Sequence, residues 1–259
     1  MSRKGGIGWV NALAQAAITA SSEVANLPAS NLVSSPHRAD RWRSDDASDA
    51  WLAFDLGVET ELGVIGLFGS NLTAAGEWRV RVGSTPGGDD IHDTGLVNAG
   101  VSIGYGQALL LPDPAPVGRY LTIDLSDAGV SLQGYHEAGF AWAGPFWSPE
   151  RNFSFGWPTG WRDPSEKTRS RGGQVWPDRL PKYRMVELRF EWLNETESRD
   201  GFMELQRLAG TTENVVVVPR PDRAARNKES VLGHIVTLGD STHVSANVFA
   251  SRLGVEERL

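Results

Sequence analysis

From Ala17 onward, short apolar runs alternate with turn residues, the spacing of an antiparallel β-sandwich rather than of a helical protein. Ala17–Ser21 reads as a strand, and 27–32 as a turn or a single helical turn. Trp51 to Gly57 reads as a strand closed by Gly57, and 62–69 as a more continuously apolar strand covered on both faces. Trp78-Arg79-Val80-Arg81-Val82 alternates, so one face meets a core while two arginines meet water. Residues 84–90 form a loop, and 108–111 and 119–124 supply two more strands. Later in the chain Val186, Leu188, Phe190 and Trp192 fall on one side of a strand, with Glu187, Arg189 and Glu191 on the other. Asn194 with Glu197 forms a capping pair at the start of a helix over about 195–209. Phe202, Leu205 and Leu208 recur at helical spacing, Gly201 weakens the helix, and Gly210 stops it. Four valines ended by Pro219, then 231–238 and 244–255, read as three strands.

Between these halves lies residues 139–173, with Trp142, Trp147, Trp157 and Trp161 set among prolines and glycines that break any long regular element. It is too aromatic for a solvated linker. Its rings are buried either on the parent chain or on a neighbouring subunit. This divides the chain into 1–138, a connecting arm 139–173, and a β-rich region 174–259 with one helix.

Of the 259 residues none is cysteine, which excludes disulfides and thiolate metal sites and suits a reducing compartment. No apolar stretch reaches the roughly 20 residues needed to span a bilayer, so a soluble chain without membrane insertion is expected. Asn11 and Gln15 interrupt the Ala-rich stretch near the N-terminus, which argues against a secretory signal. The three Asn-x-Ser/Thr sequons at Asn71, Asn152 and Asn194 are the number chance supplies. Residues 1–146 carry 8 Lys/Arg against 16 Asp/Glu, and residues 147–259 carry 17 against 16. An acidic first half offers no basic stripe for nucleic acid. The cluster Arg162, Lys167, Arg169 and Arg171 is read as meeting carboxylates of the same or an adjacent subunit.

No motif for chemistry emerges. The five histidines never pair as His-Glu-x-x-His, and neither a Gly-x-Ser-x-Gly elbow nor a phosphate-binding Gly-x-x-x-x-Gly-Lys loop occurs. His136-Glu137 has the form of a base with its orienter, but a polar pair on an edge strand is the preferred reading. Asp45, Asp46 and Asp49 fail the EF-hand spacing and read as a solvated loop. No catalytic residue, metal or cofactor is assigned.

The segments Ile18-Thr19-Ala20-Ser21-Ser22, Pro28-Ala29-Ser30-Asn31-Leu32, Arg41-Trp42-Arg43-Ser44, Trp51 to Gly57 and Gly118 to Ile123 together resemble the discoidin-like, or coagulation-factor type C, family over residues 15–145. The resemblance implies a jelly-roll β-sandwich that binds glycans or lipid headgroups through loops at one end. It places Arg41, Trp42, Arg43 and Asp45 in the candidate loop; alternatively Trp42 plugs the end of the sandwich and the arginines are solvated. Where family members continue into an Asp-Gly that helps hold calcium, this chain reads Val33-Ser34-Ser35-Pro36, which removes the expectation of that site.

A second resemblance covers residues 130–259. Gly134 to Pro145, Pro149 to Trp157, Arg169 to Gly173 and Asn194-Glu195-Thr196-Glu197 look like the distal tail and baseplate proteins of long-tailed bacteriophages and related particles. That resemblance implies a non-enzymatic virion component assembled in the host cytoplasm. It would form a homo-oligomeric ring, commonly sixfold, docking the tail tube to the baseplate hub and host-binding apparatus. Trp147, Phe153, Phe155, Trp157, Trp161, Arg169 and Arg171 would then be interface anchors, or the rings would complete the chain's own core. The fold class expected is mainly β: a discoidin-like jelly-roll sandwich, then a smaller β-rich region with one helix. The function expected is the structural tail ring, with a stand-alone module binding host-surface glycan as the alternative.

Overall fold

The computed structural model describes residues 3–47, 49–127 and 133–259. The chain forms two compact units, Met1–Ser148 with Val215–Ser230, and Pro149–Asn214 with Val231–Leu259. It is mainly β, a sandwich followed by a smaller β-rich region with one helix, as expected.

In the first unit one antiparallel sheet runs in the order Ala17–Ala20, Ala50–Glu61, Val117–Ser126, Glu77–Gly83 and His92–Asp93, with Val97–Asn98 beside Glu77–Gly83. The other runs Phe140–Gly144, Val64–Phe68, Gln107–Leu110. Alternation explains why they face each other. Leu52 and Phe54, Trp78, Val80 and Val82, and Leu121, Ile123 and Leu125 share a core with Ile65, Leu67, Ala108, Ala141 and Ala143. Val64–Phe68 is the middle strand of its sheet and is buried at every position, as its unbroken hydrophobicity requires. Gly6–Gly8 pairs antiparallel with the valine run, Ile7 opposite Val217. Asn11, which interrupts the early apolar stretch, is a structural tie: its side-chain oxygen accepts from Leu13 N at 3.2 Å and Ala143 N at 3.1 Å, and its nitrogen donates to Ala141 O at 3.1 Å.

Two strand boundaries differ from the sequence reading. Gly57 does not close its strand, which continues to Glu61. Instead Gly57 adopts φ +77°, a conformation glycine takes without strain, beside a register shift in the partner between Gly118 and Tyr120. The expected strand 244–255 is a hairpin, Thr242–Ser245 and Val248–Glu257, turned at Asn247 with φ 58°. Asparagine tolerates that left-handed geometry better than most residues.

The second unit's sheet places Tyr183–Leu193 between Thr159–Arg162 and Val248–Glu257, with Val231–Leu238 on the far side of the latter. Val186, Leu188 and Phe190 are buried as the alternation requires, but Trp192 is exposed and Leu193 is buried in its place. A register irregularity between Phe190 and Leu193 reverses the face there. The helix spans Glu197–Met203 in π turns and Glu204–Ala209 in α turns. Its capping pair is reciprocal: Asn194 N donates to Glu197 Oε2 at 2.9 Å and Glu197 N to Asn194 Oδ1 at 2.8 Å. Gly201 lies within the wide turns and Gly210 ends the helix at φ 51°. Arg184 and Glu257 form an enclosed ion pair, with the Arg184 backbone N also donating to Glu257 at 3.0 Å.

On the outer face of the large sheet, charges pair across strands. Arg119 chelates Asp55, and Arg79 chelates Asp93. The Arg119 guanidinium, then the Gly57 N–H, holds the Asp55 carboxyl at about 2; Arg79 does the same to Asp93, also to about 2. Both lie below the ordinary 3.8, so their contribution to stability is complete above that value and is lost as pH falls through it toward 2. Because both pairs face solvent, these two groups are expected to add a modest part to the fall of the melting temperature across that window. Asp55→Asn with Asp93→Asn should flatten the drop, and an unchanged profile in the double variant would contradict the assignment.

Candidate functional site

The loop end of the sandwich holds a cavity of about 680 Å³, walled by residues 69–75 and 101–106 together with Arg38, Arg41 and Gln133. These segments are irregular because they connect strands, yet each is tied down. Thr73 donates to the buried Asp127 carboxylate through its backbone N at 2.7 Å and its hydroxyl at 3.0 Å. Ser70 N donates to Gly106 O at 2.8 Å, joining the two loops. Gly106 has φ +56°, and a Cβ there would sit 2.8 Å from Ser70 O, so both conformation and space require glycine.

Behind the cavity wall lies Glu137. Its strand pairs with Trp42–Arg43, Glu137 opposite Arg43 and Ala138 opposite Trp42. The carboxylate is nearly enclosed and receives Arg41 on one oxygen and Arg43 on the other, the latter through Nε at 3.0 Å. That hydrogen bond raises the Arg43 pKa, and the Arg43 guanidinium also lies 3.9 Å from the centre of the Tyr135 ring. Arg41 reaches on to Gly69 O at 3.3 Å. Asn71 completes the frame. Its Oδ1 accepts from Glu137 N at 2.8 Å, and its Nδ2 donates to Tyr135 O at 2.7 Å and to Gln133 Oε1 at 3.0 Å.

Of the four residues expected in a ligand loop, only Arg41 lines the cavity. Trp42 must be corrected: it is 0% exposed, and its indole N–H donates to Ser22 O at 3.1 Å, so it plugs the sandwich and offers no face to a ligand. Arg43 faces Glu137 and Tyr135, and Asp45 is exposed away from the cavity with its backbone N on Ser22 Oγ at 3.1 Å. His136 is enclosed at 1% exposure just before the two-residue strand Glu137–Ala138, and the Glu137 carboxylate is taken by Arg41 and Arg43, so the pair does not stand as a base and its orienter. Sequence reasoning missed Asn71, dismissed as a chance sequon, and the Gly-rich Ser102–Gly106 loop carrying Tyr105. The second of these carried a signal, an aromatic residue between two glycines.

The aromatic arm divides between two roles. Phe140–Gly144 is a fully buried strand of the sandwich. Trp147 is half-buried, its backbone bridged to Ile7 and its ring edge-on to Trp9 at 5.9 Å. Phe153 is buried within the second unit, edge-on to Trp157 at 6.2 Å and Phe190 at 6.0 Å, which corrects its placement as an interface anchor. Trp157 is half-buried. Phe155 is fully exposed, Trp161 is 49% exposed on the edge strand Thr159–Arg162, and Arg169 and Arg171 lie on an exposed hairpin, Glu166–Arg169 with Val175–Asp178.

No protein-family model matches the chain, and no curated protein matches it. Solved structures do. A family 32 carbohydrate-binding module from C. perfringens NanJ, in complex with galactose, is 14% identical, with a TM-score of 0.42, over 52% of this chain and 97% of its own. The lectin domain of lectinolysin, in a mutant complexed with Lewis b, is 14% identical with a TM-score of 0.41, over 55% and 99%. A fucose-binding module of Streptococcus pneumoniae gives 14% and 0.41 over 52% and 95%. These likenesses extend over about half of the chain.

Glu137→Ala is expected to leave two arginines facing a gap and to cost about 1–3 kcal/mol, held to that range because both guanidinium groups are partly wet. A urea unfolding series measures it, and a variant as stable as the parent would remove Glu137 as the tie of this end.

Proposed function

We propose that the first unit is a carbohydrate-binding module that takes a glycan in the loop cavity, and that the chain works by attachment rather than by catalysis. The observation carrying this reading is the composition of the cavity wall. Arg38, Arg41, Asn71 and Gln133 supply hydrogen-bonding groups, while Tyr105 and the 88%-exposed Ile103 supply apolar surface. A pyranose presents hydroxyls at its edges and C–H groups on its faces, so it needs both kinds of surface. Arg41 is already oriented by Glu137 and Gly69 O, and Asn71 by three hydrogen bonds, which lowers the entropy lost when a ligand is held. The full chain on a glycan array should give a discrete set of ligands. Arg41→Ala and Tyr105→Ala should each weaken the best of them about tenfold or more by calorimetry, with Tyr105→Ala leaving the melting temperature nearly unchanged. Silence of the parent on the array, or a ligand indifferent to both changes, would overturn the reading.

A second reading, the oligomeric tail ring of a virion, has one observation in its favour and no support from the comparisons. The second unit exposes Phe155, Trp161, Val175, Trp176 and Leu180 on or beside its edge strand and hairpin, with Trp176 at 64%. Large rings left in water on edge strands are characteristic of association surfaces. Light scattering on the purified chain should then report an oligomer that Trp161→Ala with Trp176→Ala converts to monomer. A parent that is monomeric at micromolar concentration would end this reading.

A further inference from the structure

A second cavity of the first unit, about 410 Å³, is walled by Arg3, Leu111, Asp222, Arg223 and Arg226 with Gly100 and Asn227 at its base. We infer that it is a binding site for a compact tetrahedral oxyanion, a phosphate or sulfate group. The inference is independent of the glycan reading, since no residue of this wall belongs to the loop cavity.

The floor is rigid. The short turn Arg226–Glu229 is pinned from below by Asn227, whose Nδ2 donates to Ala99 O at 3.1 Å and Gly100 O at 2.8 Å. The enclosed Gln107 amide donates to Asn227 O and, at 2.9 Å, to Ser230 O. Arg3 is fixed as well: its guanidinium donates to Leu111 O and to Pro112 O at 2.9 Å, and its backbone N to the Asp222 carboxylate. Arg3 is thus held at the recess by main-chain contacts, and the pinned turn carries Arg226, with Arg223 just before it, to the same wall.

The charge in the recess is incompletely met. Among the described residues, the Arg223 and Arg226 guanidinium groups donate no hydrogen bond, and Asp222 is the one carboxylate in the wall. Arg226 is half-buried, and desolvation, followed by the like charge of Arg3, lowers its pKa while Asp222 opposes the shift. Three cations against one carboxylate leave an excess that a doubly charged oxyanion neutralises, and planar guanidinium forks suit tetrahedral oxygens. A lone positive side chain in water would need no such partner; a half-desolvated group beside a like charge does.

Calorimetric titration of the full chain with inorganic phosphate, and separately with sulfate at constant ionic strength, tests the site. Saturable binding is expected for both, weakened about tenfold or more in Arg226→Gln and in the exposed Arg223→Gln, and unchanged in Arg199→Gln on the other unit. Arg226→Lys should recover part of the loss. Glucose 6-phosphate distinguishes the source of the group: tighter binding than phosphate through the same two arginines indicates a saccharide-borne phosphate, and equal binding indicates the free ion. Absence of saturable binding, or binding that survives in the Arg223→Gln, Arg226→Gln double variant, would overturn the inference.

Discussion

A carboxylate set into a protein wall needs partners that replace the water it has lost, and Glu137 is met by two arginines. That requirement shapes the loop end of the sandwich. Arg41 and Arg43 flank Trp42 in sequence, so alternation along the strand sends both arginines to one side and the indole to the other. The indole then fills the core while the guanidinium groups converge on Glu137. One short segment therefore seals the sandwich and orients Arg41 toward the cavity. Asn71 adds the neighbouring loop to the same frame by bonding to the backbone of Tyr135 and Glu137.

This is why the Arg-Trp-Arg segment was legible as important and misread as to which residue does what. The pattern of residue types marks a loop with an aromatic residue between two cations, and sequence alone leaves open which face turns inward. The decisive partner, Glu137, lies 94 residues from Arg43, beyond any local pattern. The strands fared better because their signal is local. The alternation of Trp78 to Val82 and of Val186 to Phe190 is found in the structure because period-two burial needs only neighbouring positions. It fails at Trp192, where a bulge adds one residue and reverses the face, and at Gly57, where a left-handed glycine permits a bend without ending the strand. Bulges are set by pairing partners, and a single strand's sequence does not contain them.

The arm illustrates the same limit from the other side. Its richness in tryptophan and phenylalanine marked it as unlike a linker, and part of that richness is used within the chain, by Trp142 in the sandwich and by Phe153 against Phe190. What composition could not separate is these enclosed rings from Phe155, Trp161 and Trp176, which belong to segments of the same character and are left in water. The separation follows from pairing. Phe140–Gly144 has a neighbour strand that carries it into a core, whereas Glu166–Arg169 and Val175–Asp178 have only each other. A two-stranded ribbon is marginal alone in water, so the exposed Trp176 on it, with Trp161 on the edge strand Thr159–Arg162, invites a covering partner.

The two recesses of the first unit show how one scaffold sorts polar groups by the company they keep. In the loop cavity one of the two arginines of the wall, Arg41, is already held by Glu137, and the groups around it are amides, hydroxyls and apolar side chains, the mixture that suits a polyhydroxyl. In the recess over Arg226–Glu229 the arginines outnumber the carboxylate, so what remains is charge. Arg220 sharpens the contrast: its guanidinium is taken by Glu229 on the same turn, which leaves Arg223 and Arg226 as the groups not already committed. Selectivity between a sugar and an oxyanion would then follow from where the carboxylates were placed, not from where the arginines were.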